Sequence, residues 1–427
     1  MLTSVGINIG AICLAIVNVS GFIRPPVFQE STTLKPLQAG AYAEFSEYHT
    51  KESLNMSNSP PLTALEFFSG IGGLRISLGK VTEMERSGCS GRDAAVIGSF
   101  DINTVANMVY EHNFRGCKVT RRSIEHLSTV DVDGIADIWL LSPPCQPFCK
   151  VGKQMDIEDP RCLSLLHLLS LLEHVALPPS FIFLENVKGF EGSRAHARLL
   201  EVLAARSYDV AQYLLAPVQL GVPNTRLRYY CLASRDSGLT PRREDRIAPV
   251  QDSMPVGPPT PPSGTRRGAG GMRGRDGTMR PLSDYLDPSI EGVTAVPLLM
   301  SPKIAVHANL SLRFDIVTAR STETTTFTKG YGKHAGKAGP MILLTDDGTR
   351  RVSDEDLGRF PDVDLGPMGR ELRWFSDREM LRLHGFPEWF GFPDELTLRQ
   401  RFGLVGNSVN VDVVAMLLGY LLFGGAA

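Results

Sequence analysis

Apolar and polar positions alternate along this chain in a regular rhythm that begins near residue 62. Short β-branched or aromatic runs predict buried strands at Leu62–Phe68, Ala94–Phe100, Asp137–Ser142, Phe181–Val187, Asp209–Ala216 and Arg228–Ser234. Between them, helical spacing of apolar residues predicts helices at Gly72–Lys80, Ile102–Asn113, Cys162–Leu177 and Arg194–Ser207. Strands alternating with helices imply βαβ units and a doubly wound, mostly parallel α/β sheet. The rhythm breaks at residue 236. Residues 236–281 are rich in Pro, Gly and Arg and read as an insert expected to be disordered, either simply solvated or a loose phosphate-contacting arm. Residues 282–370 read as a smaller second domain, and helical patterns return over 371–427.

Residues 1–61 read as an extension, expected to be disordered and closed by the breaker cluster Asn58-Ser59-Pro60-Pro61. Residues 2–23 carry no charged side chain, but no basic segment precedes the apolar run, and Asn and Gly interrupt it. Targeting or anchoring is therefore the minor reading, and membrane association is not expected. The seven cysteines are odd in number and scattered, which suits a reducing cytoplasmic or nuclear compartment rather than a disulfide framework. With 43% hydrophobic residues and a net charge of -2, the chain is globular and not a bulk polycation, so nucleic acid would have to meet a local basic face.

The chemistry gathers at predicted strand ends, where open α/β sheets build their sites. The first strand runs into Phe68-Ser69-Gly70-Ile71-Gly72-Gly73-Leu74, a glycine turn suited to a nucleotide-like cofactor or to a tight turn alone. Asp101, closing the second strand, is placed to accept hydrogen bonds from a ribose, although it lies farther from the turn than the usual ~20 residues. Ser142-Pro143-Pro144-Cys145-Gln146-Pro147 sets a cysteine between stiffening prolines at a strand end, the position of a nucleophile rather than of a structural thiol. Glu185-Asn186 ends the next apolar strand, where burial raises a carboxyl pKa toward acid–base work. Arg226 and Arg228 alternate on an extended segment and suit a phosphate or a base carbonyl. No metal is expected: Cys145 and Cys149 are spaced one residue too far for the Pro-Cys-x-x-Cys of zinc deaminases, and none of the nine histidines has a Glu two residues later.

In order and spacing, Phe-x-Gly-x-Gly-Gly at 68–73, Pro-Pro-Cys-Gln at 143–146, Glu-Asn-Val at 185–187, Arg-x-Arg at 226–228 and Gly-Asn-Ser-Val at 406–409 resemble the cytosine-C5 methyltransferases. Asp101–Asn107, Glu185–Phe190, Phe327–Gly332, Leu383–Phe392 and Arg401–Val411 look like the RNA-directed branch, which methylates cytosine 38 of aspartate tRNA. Two departures stand out: Thr326 replaces the branch's usual cysteine, and the 236–281 insert has no clear counterpart.

The resemblance implies a class I fold that binds S-adenosylmethionine, with a target-recognition domain. It implies Cys145 as nucleophile, Glu185 at cytosine N3 with Asn186 positioning its loop, and Arg226 and Arg228 at O2 and phosphate. Phe68, Gly70, Gly72, Gly73, Leu74, Asp101, Ile102, Ile124, Pro143, Asn407, Ser408 and Val409 would hold the cofactor, and Gln146, Lys329 and Tyr331 the RNA. A glycine-rich structural turn is the competing reading of 329–332. The expected partner is tRNA, with DNA as the alternative and a non-catalytic nucleic-acid-binding homologue as the second alternative. No obligate protein partner is implied. A nicotinamide enzyme would leave Pro143–Gln146 and Glu185-Asn186 unexplained.

Overall fold

The computed structural model describes residues 60–88, 93–148, 155–235, 246–255, 279–290, 298, 315–333, 338–343 and 372–424. In chain order the elements are β1 (Leu62–Phe67), α1 (Gly73–Gly88), β2 (Ala94–Phe100), α2 (Thr104–Asn113), β3 (Ile138–Leu141), α3 (Leu163–His174), β4 (Phe181–Val187), α4 (Arg194–Ala205), β5 (Asp209–Leu215), β6 (Arg228–Ser234) and β7 (Ile247–Gln251). They are followed by β8 (Ile316–Val317), β9 (Met341–Leu343), β10 (Leu372–Arg373), α5 (Asp377–Leu383), α6 (Leu398–Asn407) and α7 (Val411–Phe423). The extension up to Ser59 lies outside the described residues, as does most of the 236–281 insert.

Seven strands form one sheet in the order β2-β1-β3-β4-β6-β5-β7. All neighbours are parallel except β6, which runs antiparallel to both β4 and β5. Strand β7 corrects the expectation for the insert. The run Ile247–Val250 pairs with β5 at the sheet edge, because an apolar β-branched stretch can hydrogen-bond there whatever surrounds it. Helix α2 starts at Thr104 rather than Ile102 because the Asn103 side chain caps it, accepting from the amides of Val105 and Ala106.

Side-chain alternation on β4 shows how the sheet is covered. Ile182 and Leu184 point toward α3 and α4, packing with Leu165, Leu168, Leu199 and Val202. Phe181 and Phe183 point the other way, toward α1 and α7, with Leu78, Val81, Val413 and Leu417. The apolar Leu398–Phe423 stretch would be long enough to cross a membrane, yet here it is two helices packed largely in the interior.

A second sheet, β10-β9-β8, sits over a third core. Phe327, Tyr331, Met341, Phe375 and Phe402 there join Ile71, Ile76 and Val109 from the glycine-turn region. Within it, Arg373 and Glu379, 3% and 0% exposed, form a buried ion pair at 2.8 Å. Its acid also accepts from the amides of Asp287 and Ser376, so the charges are compensated by hydrogen bonds as burial requires. Backbones approach closely where α6 meets the 327–330 segment: a Cβ on Gly406 would lie 2.3 Å from the Thr328 carbonyl oxygen.

Under the turn after β1, Glu66 is wholly buried. It accepts from the Arg75 amide at 3.1 Å and the Tyr110 hydroxyl at 2.8 Å, and Tyr110 in turn receives Arg75 Nη1 at 3.2 Å. Burial outweighs these partners and pushes the Glu66 carboxyl up to about 7.

Two outcomes follow. Gly406→Ala should destabilise the protein by roughly 1–3 kcal/mol through overpacking against backbone, read as a lower urea midpoint with an unchanged slope. Because the Glu66 pKa is raised in the fold, from 4.5 to about 7, its contribution to stability is fully present below 4.5 and lost as pH rises through 7. In denaturation across that window, Glu66→Gln should lack this decline; parallel wild-type and variant curves would contradict it.

Candidate active site

The side expected to hold a cofactor is built from the loops leaving β1 and β2. Phe68 is held at φ 58° and Gly70 at φ 53°. A side chain on Gly70 would meet nothing nearer than the Phe68 carbonyl oxygen at 4.0 Å, so the glycine is required by its left-handed backbone, and the space before it is open. The two loops are bonded together: Asp101 Oδ2 accepts from the Gly70 amide at 2.8 Å and Oδ1 from the Asn103 amide at 2.7 Å. A carboxylate offers about four acceptor directions, so roughly two remain for a diol. Burial raises the Asp101 pKa while these two amides oppose the rise.

Ile102, 69% exposed, offers an apolar surface beside Asp101. An open glycine turn, a carboxylate with unused lone pairs and an exposed apolar side chain fit the methionine end, ribose and adenine of S-adenosylmethionine. Other positions expected to touch that cofactor are also packing positions. Leu74, Val409 and Ile124 are buried in the cores on the two faces of the sheet. A Cβ on Gly72 would fall 2.4 Å from Phe114 Cε2, and one on Gly73 2.7 Å from Val409 Cγ2, so these glycines admit neighbouring side chains. The same Cβ on Gly73 would lie 2.9 Å from Ser408 Oγ, which brings the 407–409 segment to the turn; Asn407 is exposed at the end of α6.

The cysteine loop follows β3 and is pinned on several sides. Ser142 Oγ donates to the Phe68 carbonyl at 2.9 Å, and Asn186 Nδ2 donates to the carbonyl of buried Pro143 at 3.3 Å. The Phe148 amide closes a turn onto the Cys145 carbonyl, and the Phe148 ring meets Phe190 edge-on at 4.9 Å. Downstream, the Asp156 amide bonds Pro147, while its carboxylate receives the first amides of α4 at Arg194 and Ala195. Cys145 itself is half-buried and forms no disulfide among the described residues, and Gln146 beside it is half-buried too. Cys149 lies outside the described residues.

Leu141 pairs with Leu184, so the loop carrying Cys145 leaves β3 level with Glu185 on β4. Glu185 is 9% exposed and faces Arg228 Nε at 3.4 Å. Burial raises its pKa, and Arg228 and then Arg226 hold it back. Arg226 feels both Glu185 and Cys145, placing the thiol and the carboxyl around one guanidinium.

Arg226 does not present that guanidinium to solvent, a correction to its expected contact with the target base or phosphate. Only 3% exposed, it donates through Nη1 to the Phe327 carbonyl at 2.9 Å and through Nη2 to those of Gly406 and Ser408 at 3.3 and 2.5 Å. Burial, reinforced by Arg228, pushes its pKa down to about 9. Tyr331 is corrected likewise: it is fully buried, its hydroxyl donates to the Pro340 carbonyl and accepts from the Phe375 amide, and its ring packs on Phe327, Trp374 and Phe402. The structural turn is the correct reading there. Lys329, two residues earlier, is exposed.

Sequence reasoning missed the Glu66–Tyr110 pair, the Phe148–Phe190 contact and the buried side chains of Tyr230 and His384 near the arginines. Phe190 and His384 had a signal only as members of the Glu185–Phe190 and Leu383–Phe392 segments. Among the described residues no three His, Cys, Asp or Glu side chains converge as a metal-binding group.

The family model for C-5 cytosine-specific DNA methylases matches residues 62–421. A mouse protein named tRNA (cytosine(38)-C(5))-methyltransferase is 34% identical over 86% of this chain and 95% of its own length. A Dictyostelium discoideum protein named DNA (cytosine-5)-methyltransferase is 34% identical over 84% of this chain and 94% of its own. The crystal structure of the S. pombe Dnmt2 methyltransferase superposes with a TM-score of 0.66 at 28% identity, covering 86% of this chain and all of that one. With a matching family model over most of its length and the thiol, carboxyl and arginines assembled on one sheet edge, this chain belongs to the C-5 cytosine methyltransferases.

Proposed function

We propose that the protein methylates C5 of cytosine 38 in tRNA, with aspartate tRNA the first substrate to test, using S-adenosylmethionine and a transient bond from Cys145 to cytosine C6. The observation that carries the chemistry is the placement of Cys145 and Glu185 on adjacent strand ends around Arg226 and Arg228. The RNA assignment is supported by relatives named for tRNA cytosine 38. The Dictyostelium relative, named for DNA, supports duplex DNA as the second reading.

Cytosine C5 is a weak nucleophile. Attack of the Cys145 thiolate at C6 breaks the aromatic ring and moves electron density to C5, N3 and O2. Glu185, whose pKa burial raises against the pull of Arg228 and Arg226, gives a proton to N3 as that charge grows. Arg228, held at the carboxyl, is the arginine placed to steady O2. S-adenosylmethionine, when bound, supplies the electrophilic methyl group; the Gly70 turn, Asp101 and Ile102 orient it. Solvent takes the C5 proton, the C5–H electron pair re-forms the C5–C6 double bond as the C6–sulfur bond breaks and releases the Cys145 thiolate, and N3 returns its proton to Glu185. The target base must leave its stack, which costs less in an anticodon loop than in a duplex. Exposed Lys329 suits a phosphate of that loop.

Tritiated methyl transfer to aspartate tRNA transcripts, with duplex DNA in parallel, should give counts in RNA that Cys145→Ala abolishes; counts in DNA alone would overturn the substrate, and counts with the variant the nucleophile. Single-turnover rate should fall at both pH extremes, where the thiol gains a proton or Glu185 loses one. Glu185→Gln should be slower by about 10²–10³ and should lack the alkaline fall. A wild-type rate that keeps rising at alkaline pH would remove Glu185 as the acid.

A further inference from the structure

The turn that carries the thiol is fastened at both ends. Upstream, Asn186 holds the Pro143 carbonyl. Downstream the fastening is Asp156, which has no part in the bond-making steps. Cys145 opens the turn and Phe148 closes it, the Phe148 amide donating to the Cys145 carbonyl at 3.1 Å. Pro147 inside the turn has no N–H, so its carbonyl is its one hydrogen-bonding group. The Asp156 amide donates to that carbonyl at 3.3 Å. With its side chain the same residue grips α4: Oδ2 accepts from the Arg194 amide at 2.7 Å and Oδ1 from the Ala195 amide at 3.2 Å. Such amides have no partner within a helix, and a carboxylate suits them in shape and charge. Arg194 Nε adds an ion pair to Oδ2 at 3.5 Å.

The Asp156 backbone is held where a side chain is costly, at φ 54°. Among the described residues three that are not glycine have positive φ. Ser207 follows the end of α4, an ordinary place for that conformation. The other two, Phe68 and Asp156, each bond the cysteine loop, Phe68 through Ser142 and Asp156 through Pro147. A costly backbone persists where its surroundings over-determine it, and such places gather at active sites. Here the cause is visible. The torsion φ sets the direction of the amide relative to the side chain, so bonding Pro147 with one and α4 with the other fixes it.

Helix α4 is a firm reference. Its Ala195, Leu199, Val202 and Leu203 are fully buried, in the core that includes Leu184, the neighbour of Glu185 on β4. Between β4 and α4, Gly189 and Phe190 meet the far end of the turn: a Cβ on Gly189 would lie 3.4 Å from the Phe148 carbonyl oxygen, and the two phenyl rings touch edge-on at 4.9 Å. Those contacts fit by shape; the Asp156 bonds add direction.

We propose that Asp156 is a positioning residue for the Cys145 sulfur: its left-handed backbone and its carboxylate together fix the cysteine turn to the first turn of α4, and so to the strand that carries Glu185. The proposal rests on Cys145 as the nucleophile.

The test uses the full-length protein, S-adenosylmethionine and aspartate tRNA carrying 5-fluorocytosine at position 38. After the thiolate adds at C6 and C5 takes the methyl group, C5 holds fluorine and no hydrogen, so elimination is blocked and the C6–sulfur bond stays. Asp156→Gly keeps the left-handed backbone and deletes the carboxylate. Trapping in a single turnover at saturating tRNA should slow by about 10–10²-fold, with the half-saturating tRNA concentration unchanged. Asp156→Asn tolerates the same φ, keeps one acceptor and should recover most of that loss. Arg194→Pro breaks the contact from the other partner, because proline suits the first position of a helix but has no amide to give. It should trap about three- to tenfold more slowly than Arg194→Ala, which keeps the amide. A purely structural Asp156 would lower the thermal midpoint of the glycine variant and leave its trapping rate below that midpoint at the wild-type value. That result, a loss repaired by more tRNA, an asparagine variant as slow as the glycine one, or equal rates for the two Arg194 variants overturns the role of Asp156. Trapping by Cys145→Ala would instead overturn the nucleophile itself.

Discussion

The guanidinium of Arg226 is the knot on which the site depends. One planar group holds three carbonyls, one from the last turn of α6, one from the loop after it and one from the segment before Lys329. It therefore ties residues 406–408 and the segment around Phe327 to the foot of the strand that carries Arg228. A charged group this deeply buried is tolerated because its planar fork finds fixed acceptors, and lysine could not reproduce that geometry. Burial lowers its pKa to about 9 without discharging it near neutrality, so it also sets a positive potential around the thiol and the carboxyl.

A second coupling runs through the glycine turn. Asp101 bonds the Gly70 amide, Ser142 bonds the Phe68 carbonyl, and Asn186 bonds the Pro143 carbonyl. The loops after β2, β1, β3 and β4 thus form one chain of hydrogen bonds across the sheet edge. The strained Phe68 backbone sits at its centre, as expected where surrounding contacts over-determine a costly conformation. Displacing the cofactor side would be felt at the cysteine loop through two bonds.

Much of the fold was legible because the sheet interior is written in short apolar runs. Phe181–Val187 and Arg228–Ser234 have the predicted limits, α2 differs at its start, where the Asn103 cap rather than periodicity decides, and α1 runs on to Gly88, past the expected Lys80. The edge strand β7 was hidden by its Pro- and Arg-rich surroundings. The motif residues were legible as positions but not as contacts. Arg226 and Tyr331 look like surface recognition residues in one dimension, yet both are buried, because the chain folds back over them from residues 327–331 and 402–408. Such long-range closure has no local signal. The bonds of Asp156 were invisible for the same reason: they exist only once α4 is placed beside the cysteine loop.

The reversed direction of β6 has one more consequence. A parallel strand contributes to the reacting rim with residues that follow it, as β3 does with Cys145. A strand of opposite polarity presents its beginning at that rim, so its contribution must come from the residues that open or precede it. Arg226 and Arg228 therefore come to the rim that carries Cys145 and Glu185 without a crossover helix in between, and a single flipped strand lets a strand's beginning and its neighbours' ends meet there.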